Sequence, residues 1–123
     1  MKVPAILAVL VMLITSVYAA PDGPIRHVVH FKFKAGADQA QVEKIVTAFA
    51  ALKKKIDVIE QLEWGTNVSP EGLDKGFTHC WLVSFKNSKD RDAYLVHAEH
   101  KKFVELAKPA LDEVLVVDFV VQK

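Results

Sequence analysis

Cysteine is nearly absent from this 123-residue chain, and the one present, Cys80, has no partner with which to close an intrachain disulfide. That excludes a disulfide scaffold and leaves packing, or assembly with further copies, to hold a small domain together. An excess of either charge is also missing. The 16 basic and 15 acidic side chains become 15 of each if Lys2 is removed with a leader. Such a balance gives no field for steering nucleic acid or anionic lipid, so a nucleic-acid partner is excluded. The apolar run Val3 to Ile14 is too short to span a bilayer comfortably. Preceded by Lys2 and followed by Thr15-Ser16-Val17-Tyr18-Ala19-Ala20, it reads as a secretory signal peptide over residues 1–19, cut after Ala19. An uncleaved anchor is the rival reading. The expectation is a secreted or periplasmic protein with no stable membrane association once the signal is removed. Repeats, low-complexity tracts and a second domain are absent as well.

What is present is one α+β pattern. From Ile25 to Lys34 the residues alternate, with His27, Val29, Phe31 and Phe33 on one face and Arg26, Val28, His30 and Lys32 on the other. Asp38 offers an N-cap with Gln41 three residues on, and a helix with the apolar stripe Val42, Ile45, Val46, Phe49 and Leu52 follows. Val58 to Trp64 reads as a short strand and Asn67 to Lys75 as a loop, with Asn67 suited to a positive-φ turn. Thr78 to Phe85 reads as a third strand. Helical pieces over about Lys89 to Val96 and Glu99 to Leu106 precede Val114 to Val121, whose almost continuously apolar character predicts a strand covered on both faces. The order β-α-β-β-α-β is ferredoxin-like and leaves one sheet face bare. Phe31, Trp64, Trp81 and the valines of the last strand are expected to be covered by a second copy, making a homodimer.

Three stretches carry a family likeness: Ile25 to Lys34, Trp64-Gly65-Thr66-Asn67-Val68-Ser69-Pro70-Glu71-Gly72-Leu73, and the run from Gly76 to Phe119 that contains Asp92-Ala93-Tyr94-Leu95-Val96-His97-Ala98-Glu99-His100. Together they resemble the stress-responsive α/β-barrel (Dabb) family, over residues 25–122. The resemblance implies a ferredoxin-like sandwich that pairs as a dimeric α/β barrel. The family includes a polyketide cyclase that works by aldol chemistry without a metal or organic cofactor. Matched by motif, the resemblance implies that His100, Tyr94 and Asp118 are catalytic, and that His27 shares the site. Its strand neighbours Val29 and Phe31 would help line a pocket for a small, partly apolar ligand.

These residue types suit that chemistry. A histidine titrating near neutrality takes a proton from carbon next to a carbonyl. A tyrosine steadies the enolate oxygen. An aspartate on an apolar strand needs a donor, and an imidazole N–H is the candidate. A cofactor-free lyase or cyclase is therefore one expectation, and a non-catalytic stress-response binding or stabilising homodimer is the other. In the second, Tyr94 anchors a helix and Asp118 holds His100. One departure stands out: Ala98 occupies a position where the family commonly has proline, which opens a helical path through His97 to His100. No metal is expected, since His27 and His30 point to opposite strand faces and a His97–His100 pair would need that unbroken helix and a further ligand.

Overall fold

A computed structural model of the protein describes residues 23–123, so the signal-like stretch and its expected cut site lie outside the described residues. Alternation in the first strand is realised as β1 (Ile25–Phe33), in which Ile25, His27, Val29 and Phe31 are buried and the residues between them are half-buried. Asp38 caps α1 (Gln39–Lys55) by accepting the Ala40 N–H at 3.2 Å, and Ile45, Phe49 and Leu52 form its buried stripe. Each such side chain contributes roughly 1.5–3 kcal/mol by leaving water. Lys53, Lys54 and Lys55 lie in the last turn, where the helix dipole favours cations.

The second strand, β2 (Gln61–Thr66), starts later than its composition suggests, because Ile56 and Ile59 are spent plugging the core through a turn closed by the Ile59 N–H on the Ile56 carbonyl. It pairs with β3 (His79–Phe85). In the loop between them Asn67 uses its side chain to accept the Ser69 N–H, and the left-handed conformations fall instead on Gly72, Lys75 and Gly76. Asn87 caps α2 (Ser88–Val96) by accepting the Asp90 N–H at 2.9 Å.

Helix does not run on through His97. That residue is extended, with φ −65° and ψ 138°, and its Nδ1 accepts the Glu99 N–H at 3.0 Å, so it caps the new helix α3 (Ala98–Ala107). Ala98 is the first residue of α3, a position that suits proline but does not require it, because the cap on His97 already starts the helix. A short 3₁₀ turn at Lys108–Ala110 leads into β4 (Leu111–Val120).

All neighbouring strands are antiparallel in the order β2-β3-β1-β4, a ferredoxin-like sheet with the helices on one face. Under the helices Phe49 stacks on Trp81 with ring centres 4.0 Å apart and planes 3° from parallel. This corrects part of the sequence expectation. Phe31 and Trp81 are buried in this core, and Trp64, paired with Trp81 across the strands, packs on the same face at the sheet's edge. The bare face is made by Val28 and Leu82 with Leu115, Val117 and Phe119, the last three 44%, 51% and 48% exposed. Nor is β4 covered on both faces. It is an edge strand, and its apolar side chains alternate between the bare face and the rim of the helix-covered one.

Candidate functional site

Register builds the site. β1 and β4 pair so that His27 faces Asp118, Val29 faces Val116 and Phe31 faces Val114, all on the helix side of the sheet. Above this floor, Phe49 comes from α1, Tyr94 and Leu95 from α2, and His100, Phe103 and Val104 from α3. Floor and roof enclose an open cleft of about 340 Å³, walled almost entirely by apolar atoms. All six residues expected at the site (His27, Val29, Phe31, Tyr94, His100 and Asp118) line it. A second hollow of about 410 Å³, beside the loop after β2, is lined by His30, Phe77 and Leu115 among others and contains none of the six. The first differs from it in its largely apolar wall, into which His27, Tyr94, His100 and Asp118 are set.

The polar groups form a chain. His27 is 5% exposed, and its Nδ1–H donates to Asp118 Oδ1 at 2.6 Å, since the carboxylate can only accept. Arg91 Nη1–H donates to the other oxygen, Oδ2, at 2.8 Å, and Arg91 Nε–H donates to Asp92 Oδ1 at 2.9 Å. The imidazole held by Asp118 is therefore that of His27. His100 is held from elsewhere: its Nδ1–H donates to the Leu95 carbonyl at 3.1 Å. That bond leaves Nε2 as the acceptor nitrogen of a neutral ring. Tyr94 stands between the two imidazoles, its ring centre 5.6 Å from that of His27 and 4.4 Å from that of His100.

Burial sets the protonation states. The Tyr94 side chain is 1% exposed, and burial, aided by the negative charge of Asp118, pushes its phenol well above the usual tyrosine range. It keeps its proton and is a donor. Burial lowers His100 below the ordinary histidine value of 6.5; the Leu95 carbonyl pulls the other way, and nearby His27 and His97 add to the lowering. It is therefore an unprotonated base at neutral pH. Among the described residues no group of three or more histidines, cysteines or carboxylates gathers closely enough to hold a metal ion. His97 and His100 are each committed through Nδ1 to backbone groups.

Sequence reasoning missed Arg91. Its signal was present, since Arg91 and Tyr94 are three apart and share a helix face, and a strand aspartate among valines calls for a cation. Phe103, Leu95 and Val104 were missed as roof residues because helical spacing alone does not say which apolar side chains stop short of the sheet.

The family model described as the stress responsive A/B barrel domain matches residues 25–121. Among curated relatives, the stress-response A/B barrel domain-containing protein HS1 of Arabidopsis thaliana is 32% identical over 97 residues, covering 79% of this chain and 89% of that protein. Olivetolic acid cyclase of Cannabis sativa is 24% identical over 99 residues, covering 80% of this chain and 98% of the cyclase. Among solved structures, the hydroxynitrile lyase of Passiflora edulis superposes with a TM-score of 0.78 at 23% identity, covering 84% of this chain and 97% of the lyase. A dimeric ferredoxin-like protein of unknown function from Thermobifida fusca superposes with a TM-score of 0.70 at 19% identity, covering 85% and 96%. The fold, the register that builds the cleft and the match over nearly all the described residues agree: this chain belongs to the stress-responsive A/B barrel domain family.

Proposed function

We propose that the cleft takes a small, partly apolar carbonyl compound and acts on it as a cofactor-independent acid/base lyase or cyclase. The observation that carries this reading is the placement of a neutral imidazole, His100, against a phenol that keeps its proton, Tyr94, in an apolar cleft of ligand size. Nε2 of His100 removes a proton from carbon adjacent to the carbonyl, and the Tyr94 O–H donates to the enolate oxygen that forms. In the cyclase direction the enolate carbon attacks a second carbonyl carbon of the same molecule, closing one C–C bond. The imidazolium then returns its proton to the new alkoxide. The lyase direction runs these steps in reverse. Asp118 orients His27, and His27, Val29 and Phe31 seat the ligand from the strand side. That olivetolic acid cyclase is among the relatives and a hydroxynitrile lyase among the structural neighbours supports carbon–carbon bond chemistry on this frame.

A second reading, that of a non-catalytic binding or stabilising homodimer, is favoured by the bare apolar face at Leu115, Val117 and Phe119 and by the dimeric structural neighbours. Export through the residue 1–19 signal is part of both readings, and the N-terminal residue of the protein isolated from its producing cells checks it: Ala20 supports cleavage, Met1 opposes it.

Native mass spectrometry of the gently purified protein, followed by turnover assays on whatever carbonyl compound it retains, tests the enzymatic reading. His100→Ala and Tyr94→Phe should each abolish turnover with the assembly intact. Full turnover in both variants would reject it.

A further inference from the structure

We infer that Arg91 is a positioning residue that acts through Asp118 to hold His27 in its Nδ1–H form, leaving His27 Nε2 as an acceptor for an O–H group of the ligand. The inference rests on reading the cleft as an acid/base site. Strand register places Asp118 opposite His27 but does not orient its carboxylate, because the terminal torsion of an aspartate is broad. A second partner is needed to fix that plane. Arg91 supplies it from α2, with Nη1 on Oδ2 at 2.8 Å while Oδ1 meets His27 Nδ1 at 2.6 Å. The guanidinium is itself pinned, since its Nε edge is bound by Asp92. Three contacts thus run from an exposed carboxylate to a buried imidazole, and a planar fork suits the middle of such a chain better than a flexible ammonium.

The charged and titratable groups around His27 are few. Asp118 comes from β4, Arg91 and Tyr94 from α2 and His100 from α3, while its neighbours on the β3 side are Val83 and Phe85. Of these, the Asp118 carboxylate is the acceptor bonded to His27 Nδ1, and which ring nitrogen carries the proton follows from that bond.

Long-range ¹H–¹⁵N correlation spectra of the histidine rings, recorded above the titration range on the whole protein, read the tautomer directly. Wild type should show His27 as a single Nδ1–H species. Arg91→Met should convert it to an exchanging mixture with loss of that single species, and Arg91→Lys should restore part of the Nδ1–H population. A folded Arg91→Met protein in which His27 remains wholly Nδ1–H overturns the inference, as does collapse of both variants, which would place Arg91 in the fold rather than the site. The His27 tautomer decides this inference, and turnover decides only the enzymatic reading. An Arg91-dependent tautomer in a protein that turns nothing over keeps this inference and rejects the enzymatic reading, whereas an Arg91-independent tautomer in an active enzyme does the opposite.

Discussion

His27 and Asp118 lie opposite each other on β1 and β4, 91 residues apart in sequence and 2.6 Å apart at Nδ1 and Oδ1. A long-range pair of this kind is made only when the last strand docks, so it reports directly on completion of the sheet. Asp118→Asn keeps the shape of the side chain but removes its charge from both His27 and Arg91. We expect a loss of about 1–3 kcal/mol and a fall in Tm on the order of 10 °C. Thermal unfolding by circular dichroism measures it, and an unchanged Tm would mean that the chain from Arg91 to His27 adds nothing to stability.

Phe49 and Trp81 carry the centre of the core, stacked at 4.0 Å beneath α1. Phe49→Ala should cost about 3–5 kcal/mol, enough to leave a domain of this size barely folded. Urea titration should find a midpoint near the origin or no cooperative transition; a loss below about 1 kcal/mol would contradict the packing described.

The bare face predicts assembly. Val117 is half exposed at its centre, whereas Val116, one residue away, faces the cleft. Light scattering should find wild type as a dimer and Val117→Asp as a monomer or as unfolded protein, because a carboxylate buried there without a partner costs several kcal/mol. A stable monomeric wild type at micromolar concentration would count against it.

Acid should silence the site. As a base His100 would work only when neutral, and burial lowers its folded-state value below 6.5, so the acidic half-maximum of any turnover should lie below pH 6.5. Stability follows the same sign. The unfolded chain protonates His100 more readily than the folded one, so this contribution is complete above pH 6.5 and is lost as pH falls through the folded-state value. His100→Ala should flatten that part of the stability curve, and an acidic limb lying above 6.5 would exclude His100 as the base.

Local signals made most of the fold legible. Alternation in Ile25 to Phe33, the cap at Asp38 and the stripe through Ile45, Phe49 and Leu52 depend on neighbours within one or two turns, and each element formed where those signals stood. His27, Tyr94, His100 and Asp118 were named through family likeness and Val29 and Phe31 through strand alternation; sheet register brings the strand residues together, and α2 and α3 carry Tyr94 and His100 over them. Arg91 was missed although its spacing from Tyr94 placed it on the right helix face, because its partner is a carboxylate 27 positions away. The coverage of β4 was misjudged for a related reason. A run of valines has the same composition at the edge of a sheet as at its centre, and only the strand order says which it is. Trp81 and Phe31 were assigned to the bare face on hydrophobicity alone, although their parity with Val83 and Val29 put them under the helices.

At the start of β4 the pairing with β1 is irregular: Phe33 faces Leu111, Lys32 faces Glu113, and Asp112 is the residue left over. From Glu113 onward the match is unbroken to Val120. That one supernumerary residue sets the parity of everything after it. Odd positions Leu115, Val117 and Phe119 go to one side of the sheet, and even positions Val114, Val116 and Asp118 to the other. Deleting Asp112 without a compensating slip would turn the strand over, carrying a phenylalanine into the cleft and a carboxylate onto the greasy outer surface. Strand length, counted to the single residue, is as much a part of the cleft as the imidazoles within it.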